Sequence, residues 1–319
     1  MLALYRFASR WPLALLHALG AALGWLTWAA SPTYRRRITE NARRAGYRFA
    51  DVRACVAQAG RMATETPRLW FGAPVPVQWR GVDQLDAAYA ARRGIVFMTP
   101  HMGCFEITAQ AVGARYHAEH GPITVLYRPA RQPALAEVIE TARRREGLET
   151  APTTLAGVRQ MIKALRRGQA VGLLPDQVPP QGQGVWSPFF GEPAYTMTLA
   201  ARLIQQTGAT PLLGWGERLP RAQGFCIHVQ PFPEPLSADL DTAVAQINRA
   251  MEALIRQCPQ QYLWGYGRYK KPRDAAASRT PASSSCARCR TCRWARCGAW
   301  ARCSGACCSC WRGRASGWR

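Results

Sequence analysis

Acidic residues are scarce in this chain: 19 Asp and Glu stand against 42 Lys and Arg, a formal charge of +23. Spread evenly, that balance would point to nucleic acid or to an anionic membrane. It is not even, because residues 274–319 hold nine Arg and one Asp and so carry +8 of it, leaving +15 on the remainder. Cysteine is nearly missing from the first 273 residues, where Cys55, Cys104, Cys226 and Cys258 are scattered. That excludes a disulfide framework and suits a reducing, cytosolic location. There is no GxSxG sequence, so the nucleophile elbow of a serine hydrolase is missing, and no internal repeat is evident. What remains is 48% hydrophobic, ample for a packed core in one large or two small domains.

Charge is also missing from residues 11–30, "WPLALLHALGAALGWLTWAA". Twenty such positions are about the length that crosses a bilayer core of roughly 30 Å. Arg6 and Arg10 precede the run, while Arg35, Arg36, Arg37, Arg43 and Arg44 follow it, so the denser positive flank should stay cytoplasmic with the body of the protein. The same arginines oppose export, which argues against a cleaved signal peptide even though "WAASP" offers small residues. A helix lying flat in the interface, or buried in the body, is the competing reading that Pro12, His17 and the glycines keep open.

Residues 274–319 lack Leu, Ile, Val, Phe, Tyr and Lys altogether, and eight of the twelve cysteines lie there between Cys286 and Cys310. Such a segment cannot build an aliphatic core. "CARCRTC" has zinc-like spacings, but no second pair follows at finger-like distance and no histidine is present. The mixture is what a shifted GC-rich reading frame yields, and a disordered or frameshifted tail is the expectation.

Between these ends, apolar runs at 94–98, 123–127, 170–174, 210–215 and 225–230 read as strands. Helical patterns lie at 103–114, 133–146, 155–167, 197–207 and 240–257. The alternation predicts an α/β fold with a mainly parallel central sheet flanked by helices, and with an N-terminal membrane-attached helix. The expected organisation is an N-terminal hydrophobic segment at 1–34, a catalytic domain at 35–273 and the tail at 274–319.

At the carboxyl end of the first run stands "TPHMGCFEI", residues 99–107, with His101 and Glu106 five positions apart. Strand ends are where ligands bind in open α/β sheets. Inside one helix the pair would sit about 140° apart and could not meet. If the helix begins just after His101, the Glu106 side chain tilts back toward the imidazole, and the two form a His–carboxylate pair able to act as a general base. Gly103 lets a substrate approach the helix start, whose free N–H groups can stabilise an oxyanion. Alternatively, His101 is a turn residue and Glu106 an acid favoured at a helix N-terminus. Cys104 lies close enough to His101 to suggest a Cys-dependent thioesterase. The remaining histidines show no comparable carboxylate setting in the sequence.

The stretch has company. Together with "LYRPAR" (126–131), "LLPDQ" (173–177), "VWSPFFGEPAYTMT" (185–198), "GATPLLGW" (208–215) and "YLWGYGRYKKP" (262–272), it resembles the late acyltransferases of lipid A biosynthesis. These are the lauroyl/myristoyl transferases of the HxxxxD/E glycerolipid acyltransferase superfamily, and the resemblance spans roughly residues 1–272. It implies His101 and Glu106 as the catalytic pair, with Arg128, Asp176 and Gln177 on substrate beside Gly103. It also implies an acyl carrier protein donor, a lipid A precursor as acceptor, no metal or organic cofactor, no nucleic acid, and a site on the cytoplasmic side of an anionic inner membrane. Another acceptor, an ornithine lipid or a glycolipid, is the alternative within the class. "WSPFFGEPAYT" reads either as an acyl-chain wall or as buried core. Lys270, Lys271 and Arg273 read as contacts to the membrane or carrier, or as solvated surface charge.

Overall fold

Every residue of Ile95–Met98 is buried, and the four divide between two separate cores. Val96 and Met98 join one apolar cluster and Ile95 and Phe97 the other, as strand alternation requires of a strand covered on both faces. The computed structural model describes residues 2–127, 138, 139, 141, 142 and 145–272. In chain order the helices are α1 (Leu2–Ala8), α2 (Leu13–Ala30), α3 (Pro32–Arg44), α4 (Phe49–Val52), α5 (Ala54–Phe71), α6 (Val82–Ala90), α7 (Phe105–His120), α8 (Leu155–Arg166), α9 (Leu199–Thr207) and α10 (Leu240–Gln257). The strands are β1 (Val77–Arg80), β2 (Ile95–Met98), β3 (Ile123–Tyr127), β4 (Leu148–Pro152), β5 (Ala170–Leu173), β6 (Gly184–Phe189), β7 (Glu192–Met197), β8 (Thr210–Arg218) and β9 (Phe225–Pro231).

Seven strands form one sheet in the order β1-β9-β8-β2-β5-β3-β4, with every neighbouring pair parallel except β8 and β9. The expected mainly parallel sheet flanked by helices is therefore the one that forms. Leu85 and Tyr89 of α6 and Ile107 and Val112 of α7 pack on the Ile95 face. Met161 and Leu165 of α8, Leu203 of α9, and Ile247, Met251 and Leu254 of α10 cover the other face. Strands β6 and β7 make a separate antiparallel hairpin. It takes up most of "WSPFFGEPAYT": Phe189, Phe190, Ala194 and Tyr195 are buried, while Trp186, Pro188 and the turn at 191–193 are exposed, so all its aromatic side chains but Trp186 belong to the core.

The sequence reading placed no element between residues 35 and 93, where α3, α4, α5, α6 and β1 form; its other differences are local. The helix expected over 103–114 starts at Phe105 and runs on to His120, where Gly121 ends it. Strand β8 extends three residues beyond the expected 210–215, to Arg218. Strands β1, β4, β6 and β7 are too short or too polar to have shown an apolar run. The helix expected at 133–146 falls largely outside the described residues, as do Arg128, Arg273 and the tail. Asp239 starts α10 as its N-cap, accepting the Thr242 N–H at 2.9 Å.

Candidate active site

Strands β2 and β5 are parallel neighbours with Met98 opposite Leu173, so the loops leaving their carboxyl ends lie side by side. The Thr99 N–H donates to the Leu173 carbonyl at 3.0 Å and prolongs the pairing by one residue. Three positions past the end of each strand stand His101 and Asp176. The Asp176 carboxylate grips that histidine twice: Oδ1 lies 2.7 Å from the ring Nδ1, and Oδ2 accepts the His101 backbone N–H at 2.9 Å. The carboxylate is almost fully buried, at 2% side-chain exposure against 17% for the imidazole, so the ring faces outward from a buried anchor.

Burial by itself pushes the Asp176 carboxyl up. The His101 ring and N–H, with Arg268 nearby, outweigh it and hold the group below the usual carboxylate range. An ionised carboxylate on Nδ1 means that Nδ1 carries the proton, and Nε2 is the nitrogen left to act as a base. Phe105 sets its ring edge-on to the imidazole at 5.2 Å, and the His101 carbonyl accepts the Leu263 N–H at 3.1 Å. Ring and backbone are thus both fixed. Arg268 is buried in turn, donating to the Tyr195 carbonyl at 2.7 Å and to Thr196 Oγ1 at 2.5 Å. Burial and the Asp176 charge together push the Tyr262 hydroxyl well up.

His101 does precede the helix, as pairing with Glu106 required, and Glu106 falls in the first turn of α7. Yet the place on Nδ1 that the spacing assigned to Glu106 belongs to Asp176. Glu106 instead accepts a hydrogen bond from Trp70 Nε1, at the end of α5, at 3.2 Å. The physical reason is the sheet: strand order brings a carboxylate 75 residues away onto the ring nitrogen. Gln177 follows Asp176, half-buried, ahead of Val178, whose N–H donates to Tyr266 Oη at 3.0 Å.

Gly103 is demanded by β8 rather than by an approaching substrate. Its φ is +57°, and a Cβ there would run into the Gly216 carbonyl oxygen. Its N–H is bonded to the Gln261 carbonyl at 2.9 Å and that of Cys104 to the Gly216 carbonyl at 2.8 Å, so neither is free for an oxyanion. The Gly103 carbonyl accepts Arg218 Nη2 at 3.1 Å. That arginine also chelates Glu65 at 2.7 and 2.5 Å and reaches Gln58 at 2.8 Å, while Glu65 bonds His17 of α2 at 2.8 Å. This buried chain from α2 to the loop before α7 left no mark in the sequence, because its members lie 48 and 153 residues apart. Burial pushes the Glu65 carboxyl up, but Arg218 and His17 more than reverse it and hold it below its ordinary value.

Cys104 is fully buried, and burial together with the Glu65 charge raises its thiol well above the ordinary range. A thiolate nucleophile is therefore disfavoured. Elsewhere His228, for which the sequence offered no carboxylate, pairs with Glu217 at 2.8 Å. With Cys226 these two form a cluster whose ligand atoms all lie within 4.8 Å, the arrangement a cation would need. Its imidazole is already engaged, stacked on Trp215 at 4.6 Å and bonded to Glu217. Lys270 and Lys271 are exposed, Lys270 over the Tyr266 ring at 4.5 Å.

A family model described as bacterial lipid A biosynthesis acyltransferase matches residues 9–271. The chain is 27% identical over 216 residues to the lipid A biosynthesis palmitoleoyltransferase of Escherichia coli (strain K12), covering 66% of this chain and 68% of that protein. To the lipid A biosynthesis lauroyltransferase of the same organism it is 28% identical over 221 residues, 67% and 70% of the two chains. To the myristoyltransferase it is 22% identical over 189 residues, 59% and 57%.

Proposed function

The chain belongs to the bacterial lipid A biosynthesis acyltransferase family, and from that premise we propose that it moves a fatty acyl group from an acyl carrier protein thioester to a hydroxyl of a lipid A precursor. The observation that carries the chemistry is the His101–Asp176 clamp at the carboxyl ends of β2 and β5. His101 Nε2 removes the proton from the acceptor hydroxyl as its oxygen attacks the thioester carbonyl. The tetrahedral oxyanion forms beside the N-terminus of α7, whose dipole favours negative charge. The C–S bond then breaks, and the departing thiolate takes the proton from the imidazolium, giving ester and free carrier thiol. Asp176 holds the proton on Nδ1 and stabilises the imidazolium, the orienting role of a triad carboxylate. Glu106 is the second acid of the site, set in the first turn of α7 against Trp70.

Residues 35–273 carry the transfer, Gln177 and Arg128 contribute to substrate binding, and residues 274–319 take no part. The +15 charge of residues 1–273 suits an acidic carrier and a phosphorylated acceptor. The apolar α2 attaches the protein to the inner membrane with its site on the cytoplasmic side.

Mass spectrometry of lipid A from a host lacking the corresponding enzyme tests the reading. Wild type should restore one acyl chain and His101→Ala should not. Purified enzyme given carrier-bound and coenzyme A-bound acyl groups, with lipid A precursor and with ornithine lipid, identifies donor and acceptor; transfer only to ornithine lipid would refute the lipid A assignment. Cys104→Ser should keep most activity, within about threefold, since a buried protonated thiol has no part in direct transfer. An inactive but folded Cys104→Ser enzyme would require an acyl-enzyme instead.

A further inference from the structure

Helix α2 has the length and composition of a membrane span, yet it is seated along the body from one end to the other. Near its start His17 bonds Glu65, and the Leu16 carbonyl accepts Thr64 Oγ1 at 2.6 Å. Midway, Gly20 and Gly24 meet Gly60 and Val56 of α5 backbone to backbone, where any Cβ would collide. At its end Trp28 stacks on Phe49 at 5.5 Å, and Arg35 donates to the Trp28 carbonyl at 3.0 Å. For α2 to cross a bilayer in this state, α5 would have to enter the hydrocarbon beside it, carrying Arg61, Glu65 and Arg68 along with Arg218. Charges in that setting are strongly disfavoured.

The opposite face of α2 carries no charge and, among the described residues, stands open. Leu15, Leu19, Leu23, Trp25 and Leu26 are exposed there, Leu26 at 66%. A water-facing helix surface would carry polar residues instead. Leu4 and Phe7 of α1, which also packs on α5, are apolar and exposed at 65% and 57%. Beside them lies a cleft of about 500 Å³ lined by Arg6, Arg10, Arg68, Ser9 and Phe71. Arg68 Nε is buried in this region with no acceptor among the described residues. Apolar side chains that face outward next to an arginine-lined cleft match the boundary between acyl chains and phosphate headgroups.

We propose that α1 and α2 form an in-plane docking face for an anionic bilayer: the protein sits on one leaflet, α2 lies in the interface instead of spanning it, and the Arg6–Arg10–Arg68 cleft takes a lipid phosphate. This sharpens the membrane attachment in the proposed function, but its tests do not use acyl transfer. Peptide tags for a cytoplasmic biotin ligase are placed at the N-terminus and at the C-terminus of the full chain. In-plane seating predicts biotin on both tags, whereas a span predicts labelling of one only, which would overturn the proposal. In flotation assays, purified protein should bind phosphatidylglycerol-containing vesicles at least tenfold better than phosphatidylcholine vesicles. Leu19→Glu/Leu26→Glu should abolish binding to both, and Arg6→Gln/Arg10→Gln should remove the anionic preference. Both pairs are exposed, so circular dichroism should match wild type. Folded variants that float as wild type does would also overturn it.

Discussion

Asp176→Asn should lower kcat/KM roughly 10³-fold or more while the protein stays folded, the scale seen when an orienting carboxylate is neutralised and the histidine adopts the wrong tautomer. Asparagine keeps the size of the side chain and can still accept the His101 backbone N–H. Its amide, however, can turn an N–H toward Nδ1, which moves the ring proton to Nε2 and removes the base. The loss should therefore fall on kcat, with KM little changed. Glu106→Gln is the useful comparison. It removes a charge near the site without touching the Nδ1 bond, because Glu106 is bonded to Trp70, so a smaller loss of about 10–100-fold is expected. Steady-state kinetics on both variants decide the matter. An Asp176→Asn enzyme retaining a tenth of wild-type kcat would remove Asp176 from the mechanism.

Arg218→Met should be the most destabilising of the changes considered. It leaves the Glu65 carboxylate, which is 1% exposed, with His17 alone, and it frees the Gly103 carbonyl in the loop before α7. Breaking one side of a buried ion pair costs about 3–5 kcal/mol, which for a domain of this size lowers Tm by about 10 °C. Glu65→Leu/Arg218→Met should recover part of that loss, since it leaves no unpaired buried charge, although His17, Gln58 and the Gly103 carbonyl lose a partner. A double variant as unstable as the single one would show that shape, not charge, is what the pair supplies. The sign of the pH dependence follows from Glu65, whose folded value lies below its unfolded one. Its contribution is complete above the unfolded carboxylate range, near pH 4.3, and fades as pH falls through the lower folded value. Thermal melts of wild type between pH 3 and pH 7 should lose stability at the acid end, and Glu65→Leu/Arg218→Met should lose less there.

The blocks around the candidate site were legible in the sequence because they are local. "GIVFM" running into "TPHMGCFEI" announces a buried strand, a tight loop and a helix within fourteen residues, and that junction forms at 94–107. The same holds for α10, whose start is written in Asp239 and whose apolar period runs unbroken to Gln257. Composition likewise announced that residues 11–30 have an unusual neighbour, since no charge interrupts them.

The partner of His101 was not legible in this way. Spacing can weigh only residues that share an element, and it offered Glu106. Asp176 becomes the partner because β5 lies next to β2 in parallel register, and strand order is decided by which apolar faces the helices can cover. Arg218, Glu65 and His17 meet for the same kind of reason, across the join of β8, α5 and α2. Charge-free length likewise determined that α2 seeks an apolar environment, but not how it is seated. That was decided by its glycines, which let its backbone lie directly on α5, and by one histidine whose partner, Glu65, is buried in the body.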